Sequence, residues 1–123
     1  MGNEYLDHLE YDFDQYLVPM GSHGYSHYGF SLYVLRAGEF YKVGLSKNIE
    51  RRIKDLQTGC PLPIELVELY QVRLRGDERA YRLESLVHKS LKEYQTIGEW
   101  FVDVSLPQIN HAIRHVCYKM VMG

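Results

Sequence analysis

The sequence FSLYVLRAGEFYKVGL, at residues 30–45, has the pattern of two strands joined by a tight turn. Residues 30–35 and 40–45 are rich in aromatic and aliphatic side chains, which favour strands. Between them, residues 37–39 read Ala-Gly-Glu, and a glycine in so short a connection favours a hairpin turn. An antiparallel hairpin is therefore predicted here, and the other elements can be placed around it.

Helices and strands alternate after the hairpin. Helices are predicted where apolar residues recur at helical spacing behind a capping residue, and strands where they form short runs. The predicted elements are a helix over 48–57 capped by Ser46 or Asn48, a strand over 64–74, a helix from Asp77 to about Tyr94, a strand over 100–104, and a helix to about Met120 behind the capping box Ser105-Leu106-Pro107-Gln108. This β-β-α-β-α-β-α order predicts an α+β fold with a small antiparallel sheet.

The residues before the hairpin are acidic. Aromatic and leucine side chains recur at helical spacing in residues 5–18, which predicts a short amphipathic helix, and a Gly- and His-rich loop follows it. The predicted organisation is an acidic N-terminal helix and loop over 1–28, a central domain over 29–104, and a C-terminal helix over 105–123 that packs on the same domain.

Composition narrows the class of protein. With 123 residues, 46% hydrophobic and 24% charged, the chain is predicted to form one globular unit rather than a disordered segment. No apolar run is long enough to span a membrane, and two cysteines, Cys60 and Cys117, favour a reducing, cytoplasmic location over a disulfide scaffold.

The charge is unevenly distributed along the chain. Residues 1–35 carry five carboxylates and no Lys or Arg. Residues 36–123 carry all 14 Lys and Arg and the other 11 of 16 acidic residues, a formal charge of +3. A basic body is compatible with nucleic acid, although such charges also serve to solvate a surface.

Two charged residues border apolar helix faces. On a helical wheel, Arg52 lies about 70° from the centre of the apolar stripe of the first predicted helix, whereas Arg51 lies nearly opposite that stripe. Glu84 has a similar flanking position on the second helix, and His88 lies one turn beyond it. The plainest interpretation is a partly buried Arg–Glu pair, which contributes little to stability.

The motifs, in their order along the chain, point to a specific family. These motifs are Ser31-Leu32-Tyr33-Val34, then Tyr41-Lys42-Val43-Gly44, then Arg52 eight residues after Gly44, then Leu83-Glu84-Ser85-Leu86-Val87-His88, and finally Gly98-Glu99-Trp100-Phe101. Over about residues 29–104 the chain resembles the GIY-YIG nuclease superfamily, and in particular its phage and bacterial branch. The resemblance implies a β-β-α-β-α core and a metal-dependent DNA endonuclease.

The resemblance also implies a role for each matching residue. Glu84 would bind Mg²⁺ or Mn²⁺, and Arg52 would contact the scissile phosphate. Tyr33 would position the attacking water, or accept its proton if the metal and Arg52 lower the tyrosine's pKa. Lys42 would add a second positive charge or tune Tyr33, and His88 would relay a proton or order a metal-bound water.

Two departures from the family pattern keep other functions open. Ser31 replaces the first signature glycine, and Lys42 occupies the position of the second signature tyrosine. Tyr41 cannot substitute for that tyrosine, because neighbouring strand residues point to opposite faces. The alternatives are a catalytically inactive nucleic-acid-binding module on the same fold and a small protein-interaction module.

Several further residues are weaker candidates. They are the i, i+4 pair His111 and His115 as a metal site, His23 and His27 as loop contacts to phosphate, Glu99 as a second carboxylate, and Cys60, which is interpreted as structural.

The acidic residues 4–18 have several possible roles. They could pack near the basic surface and weaken access of DNA, complete the core, or meet a protein partner or a second copy of the chain. No membrane partner is expected.

Overall fold

The computed structural model describes residues 16–19 and 29–122. The elements are strand β1 (Leu17–Pro19), strand β2 (Ser31–Ala37), strand β3 (Phe40–Ser46), helix α1 (Ile49–Thr58), strand β4 (Ile64–Val72), helix α2 (Asp77–Ser90), a 3₁₀ turn (Lys92–Tyr94), strand β5 (Trp100–Phe101) and helix α3 (Leu106–Met122). The predicted α+β class, with a small antiparallel sheet, is confirmed.

The five strands form one antiparallel sheet in the order β1-β4-β2-β3-β5. Strand β2 is central and pairs along its whole length with both β3 and β4, with an irregularity between Val34 and Leu35 on the β4 side. Tyr33 lies directly opposite Gly44 in the β2–β3 ladder. Strand β5 is short and covers only Tyr41 and Lys42 of β3, so the rest of that edge of β3 extends beyond its neighbouring strand.

Helices cover both faces of the sheet. Helix α1 packs on one face, where the buried residues are Tyr33, Leu35, Ile49 and Leu69. Helices α2 and α3 cover the other face, and together with the sheet they bury a larger core. Because β2 is buried on both faces, its residues are apolar in nearly every position instead of alternating with polar ones.

Local signals explain how three of these elements begin. Gly38 has a φ of 62° in the two-residue loop between β2 and β3, a left-handed conformation that glycine adopts without strain. The Asn48 side chain accepts a hydrogen bond of 3.1 Å from the Arg51 amide, which confirms it as the cap of α1. The capping box is also confirmed, since Ser105 N donates to Gln108 Oε1 (2.8 Å) and Gln108 N donates to Ser105 Oγ (3.2 Å).

The predicted N-terminal helix does not extend to residue 18. Residues 17–19 form β1 instead, pairing with β4 from Leu17 opposite Val72 to Pro19 opposite Tyr70. The strand is more stable here than a helix end, because it buries Leu17 almost completely and pairs the backbone with β4. One of the backbone hydrogen bonds runs from Arg73 N to Tyr16 O, over 2.7 Å. The part of the prediction that covers residues 4–15 lies outside the described residues.

Other element boundaries also differ from the prediction. Asp77 is the first residue of α2 rather than its cap, because Gly76 occupies the cap position with a φ of 82°. Helix α2 ends at Ser90, and the chain to Tyr94 continues as a 3₁₀ turn. Strands β4 and β5 are both shorter than predicted. Within the described ranges, no helix is both long enough and apolar enough to cross a membrane.

Candidate functional site

Tyr33 lies in the middle of the sheet on the face covered by α1, and its side chain is buried. The ring lies across Gly44 on the neighbouring strand, where an added Cβ would overlap the tyrosine hydroxyl. Glycine is therefore required at position 44 by the close approach of the ring, since the site has no room for a side chain. The pair fixes the tyrosine hydroxyl at the end of β3.

Helix α1 brings Arg52 to this hydroxyl. Ile49 and Ile53 pack towards the sheet, and Arg52 stands half-buried beside them, as the helical wheel predicts. The Arg52 Nε donates a hydrogen bond of 3.3 Å to the Tyr33 Oη. Arg51 is exposed, and its backbone amide donates a hydrogen bond to the Asn48 side chain.

The protonation state of Tyr33 follows from its surroundings. Burial raises the pKa of the Tyr33 hydroxyl, and the opposing effect of the Arg52 guanidinium does not overcome it. The pKa of Arg52 is also raised, chiefly by its hydrogen bond to Tyr33. At neutral pH the pair is therefore a protonated phenol beside a guanidinium cation. This state favours a positioning role for Tyr33 over the acceptance of a proton.

Helix α2 contacts the edge of β3 that β5 leaves uncovered. The Glu84 Oε2 accepts a hydrogen bond of 2.9 Å from the Leu45 amide. The His88 Nε2 lies 2.6 Å from the Val43 carbonyl oxygen, and because a carbonyl only accepts, this ring nitrogen carries the proton. Two side chains one turn apart thus take the place of a neighbouring strand and hold both functional groups in fixed positions.

This arrangement leaves one oxygen of Glu84 available. Within the described part of the chain, the hydrogen bond to Leu45 is the only one that Glu84 makes, so Oε1 has no partner there. The same holds for Nδ1 of His88, since only its Nε2 has a hydrogen-bond partner in the described residues. A carboxylate fixed through one oxygen and open at the other is suited to binding a cation.

Lys42 lies on the same side of the sheet as Gly44 and Tyr33. Its side chain is buried, and its Nζ is 2.8 Å from the Glu99 Oε2 and 5.6 Å from the centre of the Trp100 ring. Lys42 and Trp100 are paired in the β3–β5 ladder, which places Glu99 directly beside the ammonium group. The pKa of Glu99 is lowered, first by its hydrogen bond to Lys42.

These groups form one cluster around residues 42–45 of β3, where Tyr33 contacts Gly44, Glu84 contacts Leu45 and His88 contacts Val43. Tyr33 is influenced by both Glu84 and Glu99, and Glu99 is in turn influenced by His88 and Arg52 as well as by Lys42. The five residues predicted from the sequence are therefore brought together, and Glu99 joins them. Glu99 was only a weak candidate in the sequence, although its place next to Trp100 in a short strand was a usable signal.

The Glu84 carboxylate has the chemistry of a ligand for a hydrated divalent metal ion. Among residues 16–19 and 29–122, there is no group of three or more His, Cys, Asp or Glu that could hold a metal ion. Zinc sites usually need three or four such ligands, whereas Mg²⁺ binds through one or two carboxylates and keeps several waters. The Glu84 carboxylate, held through Oε2 by the Leu45 amide, fits a hydrated Mg²⁺ or Mn²⁺.

The weaker candidates lie apart from this cluster or outside the described residues. His111 and His115 stack on α3 with ring centres 5.9 Å apart, and no third metal ligand joins them within the described ranges. Cys60 and Cys117 are free thiols, and burial raises the pKa of Cys117 to about 11. His23 and His27 fall outside the described residues.

Comparison with known proteins gives the family. A model of the T5orf172 domain matches residues 31–117, which include the β2–β3 hairpin, Arg52, Glu84 and most of α3. The chain belongs to the T5orf172 domain family. The family assignment expected from the motifs is therefore wrong, because T5orf172 is a distinct family of the HNH/GIY-YIG-like fold type and no GIY-YIG family model matches. Signature motifs alone did not separate the two families.

One relative of this T5orf172 domain is a viral protein. The chain is 30% identical over 79 residues to the KilA-N domain-containing protein 315L of Invertebrate iridescent virus 6, a match that covers 64% of the chain and 33% of the relative. The chain therefore spans about a third of that relative's length. No solved structure matches the chain. The family and this relative together suggest a nucleic-acid-binding or nuclease-like module.

Proposed function

We propose that this T5orf172 domain is a metal-dependent endonuclease that hydrolyses phosphodiester bonds in DNA. The observation that carries the proposal is the convergence of the Tyr33–Arg52 hydrogen bond and the fixed Glu84 carboxylate at the same end of β3. Phosphodiester hydrolysis needs a positioned water, neutralisation of charge on the phosphate and assistance to the leaving oxygen. This cluster offers a group suited to each need.

The cations would bind the phosphate. Arg52 uses Nε to contact Tyr33, and its two terminal nitrogens have no hydrogen-bond partner among the described residues. They would bind the non-bridging oxygens, since the planar guanidinium suits such two-point contact. Lys42 adds positive charge from within the sheet, although Glu99 partly neutralises it. Tyr33 remains protonated, so its hydroxyl would donate a hydrogen bond to the attacking water or to a phosphate oxygen.

Glu84 would hold Mg²⁺ or Mn²⁺ through the oxygen that the Leu45 amide does not engage. Such an ion supplies charge neutralisation at the phosphate and lowers the pKa of a bound water. The Nδ1 atom of His88 would accept a proton or a hydrogen bond from water near this carboxylate, since its Nε2 is occupied by Val43. The hydrogen bond from Nε2 to the backbone keeps the ring in that orientation.

A second candidate function is nucleic-acid binding without cleavage. The ion pair between Lys42 and Glu99 favours it, because a lysine that is already paired contributes less positive charge to a bound phosphate. In that case the same cations would bind the DNA backbone, and Glu84 would serve only to cap the edge of β3.

Neighbouring arginines on α1 provide a test with a matched control. Arg52→Ala should reduce nicking of supercoiled plasmid in Mg²⁺ or Mn²⁺ by at least about 10²-fold, the scale seen when one charge-stabilising group is removed. Arg51→Ala removes an equal charge from the exposed side of the same helix and should change the rate by less than about 3-fold. Wild-type protein that binds DNA but does not nick it in either metal would favour the second function.

A further inference from the structure

An exposed aromatic side chain lies beside the candidate site. Tyr81 is on α2 and is 55% exposed, so much of its ring is accessible to solvent. The Tyr81 and Phe30 rings pack in a T-shaped arrangement, with the centres 5.1 Å apart and an angle of 64° between the planes. Phe30 is half-buried against the main core and therefore supports Tyr81 from below. The contact with Phe30 thus holds the Tyr81 ring in place while much of its surface faces solvent.

The position of Tyr81 on α2 relates it to Glu84. The two residues are three apart in the helix, so they share a face and their Cβ atoms are about 5–6 Å apart. Ala80, Leu83 and Val87 form the buried face of the same helix, so Tyr81 and Glu84 both lie to one side of it. A group bound on the Tyr81 ring would therefore lie next to the carboxylate proposed to hold the metal.

A cation completes this surface. The Lys47 Nζ is 4.8 Å from the centre of the Phe30 ring and 3.5 Å from the Asp77 Oδ2, and its side chain is 58% exposed. Lys47 comes two residues after Leu45, whose amide fixes Glu84. The surface of Phe30, Tyr81 and Lys47, hereafter the aromatic–lysine surface, thus combines a supported ring with an accessible ammonium group.

We propose that the aromatic–lysine surface binds the nucleotide that flanks the scissile phosphate. One base of the DNA stacks on the exposed face of Tyr81, and Lys47 contacts an adjacent backbone phosphate. Stacking on an aromatic side chain tolerates any base, since every base has a π-face, and it is typical of proteins that hold single-stranded or unpaired nucleotides. The proposal rests on the proposed function in naming DNA as the ligand, but it assigns a separate role in binding.

The experiment measures binding without cleavage. Full-length protein is titrated with a fluorescein-labelled single-stranded oligonucleotide in EDTA, which removes divalent metal, over a series of salt concentrations. Tyr81→Ala should weaken binding by about 10-fold or more, and Tyr81→Phe, which keeps the ring, should change it by less than about 2-fold. Tyr81→Leu keeps apolar bulk without a π-face, so it should behave like Tyr81→Ala.

Lys47 gives a second, independent readout. In a plot of log affinity against log salt concentration, Lys47→Gln should reduce the magnitude of the slope by about 1, the value for one lost phosphate contact. Tyr81→Ala should lower the affinity and leave the slope unchanged. Thermal unfolding of each variant checks the fold. If Tyr81→Ala is less stable than wild type, the stacking role is judged from the oligonucleotide affinities of Tyr81→Phe and Tyr81→Leu instead.

Each result separates this proposal from the nuclease proposal. Equal affinity of wild type, Tyr81→Ala and Tyr81→Leu would overturn the stacking role while leaving the nuclease proposal intact. If Tyr81→Ala and Tyr81→Leu lose affinity and the wild-type protein does not cleave DNA in either metal, the stacking role is supported and the nuclease proposal is overturned. Wild-type protein that does not bind the oligonucleotide would overturn the stacking role, and plasmid nicking in Mg²⁺ or Mn²⁺ would then decide the nuclease proposal separately.

Discussion

The ion pair between Lys42 and Glu99 should respond unequally to loss of its two members. The Lys42 side chain is 6% exposed and the Glu99 side chain is 60% exposed. Lys42→Met removes the buried charge, preserves most of the packing and leaves Glu99 in water. Glu99→Ala leaves the buried ammonium group without its carboxylate, which is the costlier change because a buried charge then has poor solvation.

The magnitudes follow from this exposure. Breaking a fully buried pair by removing one partner costs about 3–5 kcal/mol, and an exposed pair contributes about 0–1 kcal/mol. Because Glu99 is largely exposed, water can enter when it is truncated, and Glu99→Ala should cost an intermediate 1–3 kcal/mol, roughly. Lys42→Met should stay within about 1 kcal/mol of wild type. Unfolding in urea measures both values.

The pH dependence provides a second check of the same pair. Lys42 holds the pKa of Glu99 below its ordinary value of 4.5. The stabilisation by this carboxylate is therefore fully present above its unfolded-state pKa and is lost as the pH falls through its lower folded-state pKa. The stability difference between wild type and Glu99→Gln should be largest near neutrality and vanish in acid. Glu93→Gln, an exposed control, should show no such trend.

Two results would refute this explanation of the ion pair. One is an equal loss of unfolding free energy in Lys42→Met and Glu99→Ala. The other is a stability difference between wild type and Glu99→Gln that does not change with pH.

Two further predictions concern the buried tyrosine. Gly44→Ala places a Cβ on the Tyr33 hydroxyl and should cost about 1–3 kcal/mol in stability as well as most of the nicking activity, measured by urea unfolding and the plasmid assay; wild-type values for both would contradict the packing argument. Tyr33→Phe should lower the turnover rate more than it weakens DNA binding, and because burial raises the pKa of Tyr33, the wild-type rate should show no tyrosine ionisation between about pH 6 and 9. A greater loss of affinity than of turnover would assign Tyr33 to binding.

Local chemistry explains which parts of the structure could be predicted from the sequence. The hairpin around Gly38, the Asn48 cap and the Ser105 capping box depend on neighbouring residues, and each is present in the structure. The positions of Arg52 and Glu84 beside apolar helix faces also follow from helical geometry alone. These features required no knowledge of how the elements pack.

Features that depend on long-range pairing could not be predicted in this way. The contacts of Glu84 with Leu45 and of His88 with Val43 exist because β5 stops after two residues, which leaves the edge of β3 to α2. Strand β1 likewise depends on a partner more than fifty residues away, opposite which a short apolar segment is more stable as a strand than as the end of a helix. The family was misassigned for a different reason: the short motifs resemble GIY-YIG signatures, but the family model that matches residues 31–117 is that of T5orf172.

The most direct test of the central claim is plasmid nicking by Glu84→Gln over a titration of Mg²⁺ and Mn²⁺. The amide oxygen of glutamine can still accept the hydrogen bond from Leu45, so the fold and DNA binding in EDTA should be unchanged. We expect the metal-dependent rate to fall by at least about 10²-fold, whereas Glu78→Gln, an exposed control at the start of the same helix, should retain the wild-type rate. A Glu84→Gln protein that nicks DNA at the wild-type rate, with the same dependence on metal, would contradict the assignment of Glu84 as the metal ligand.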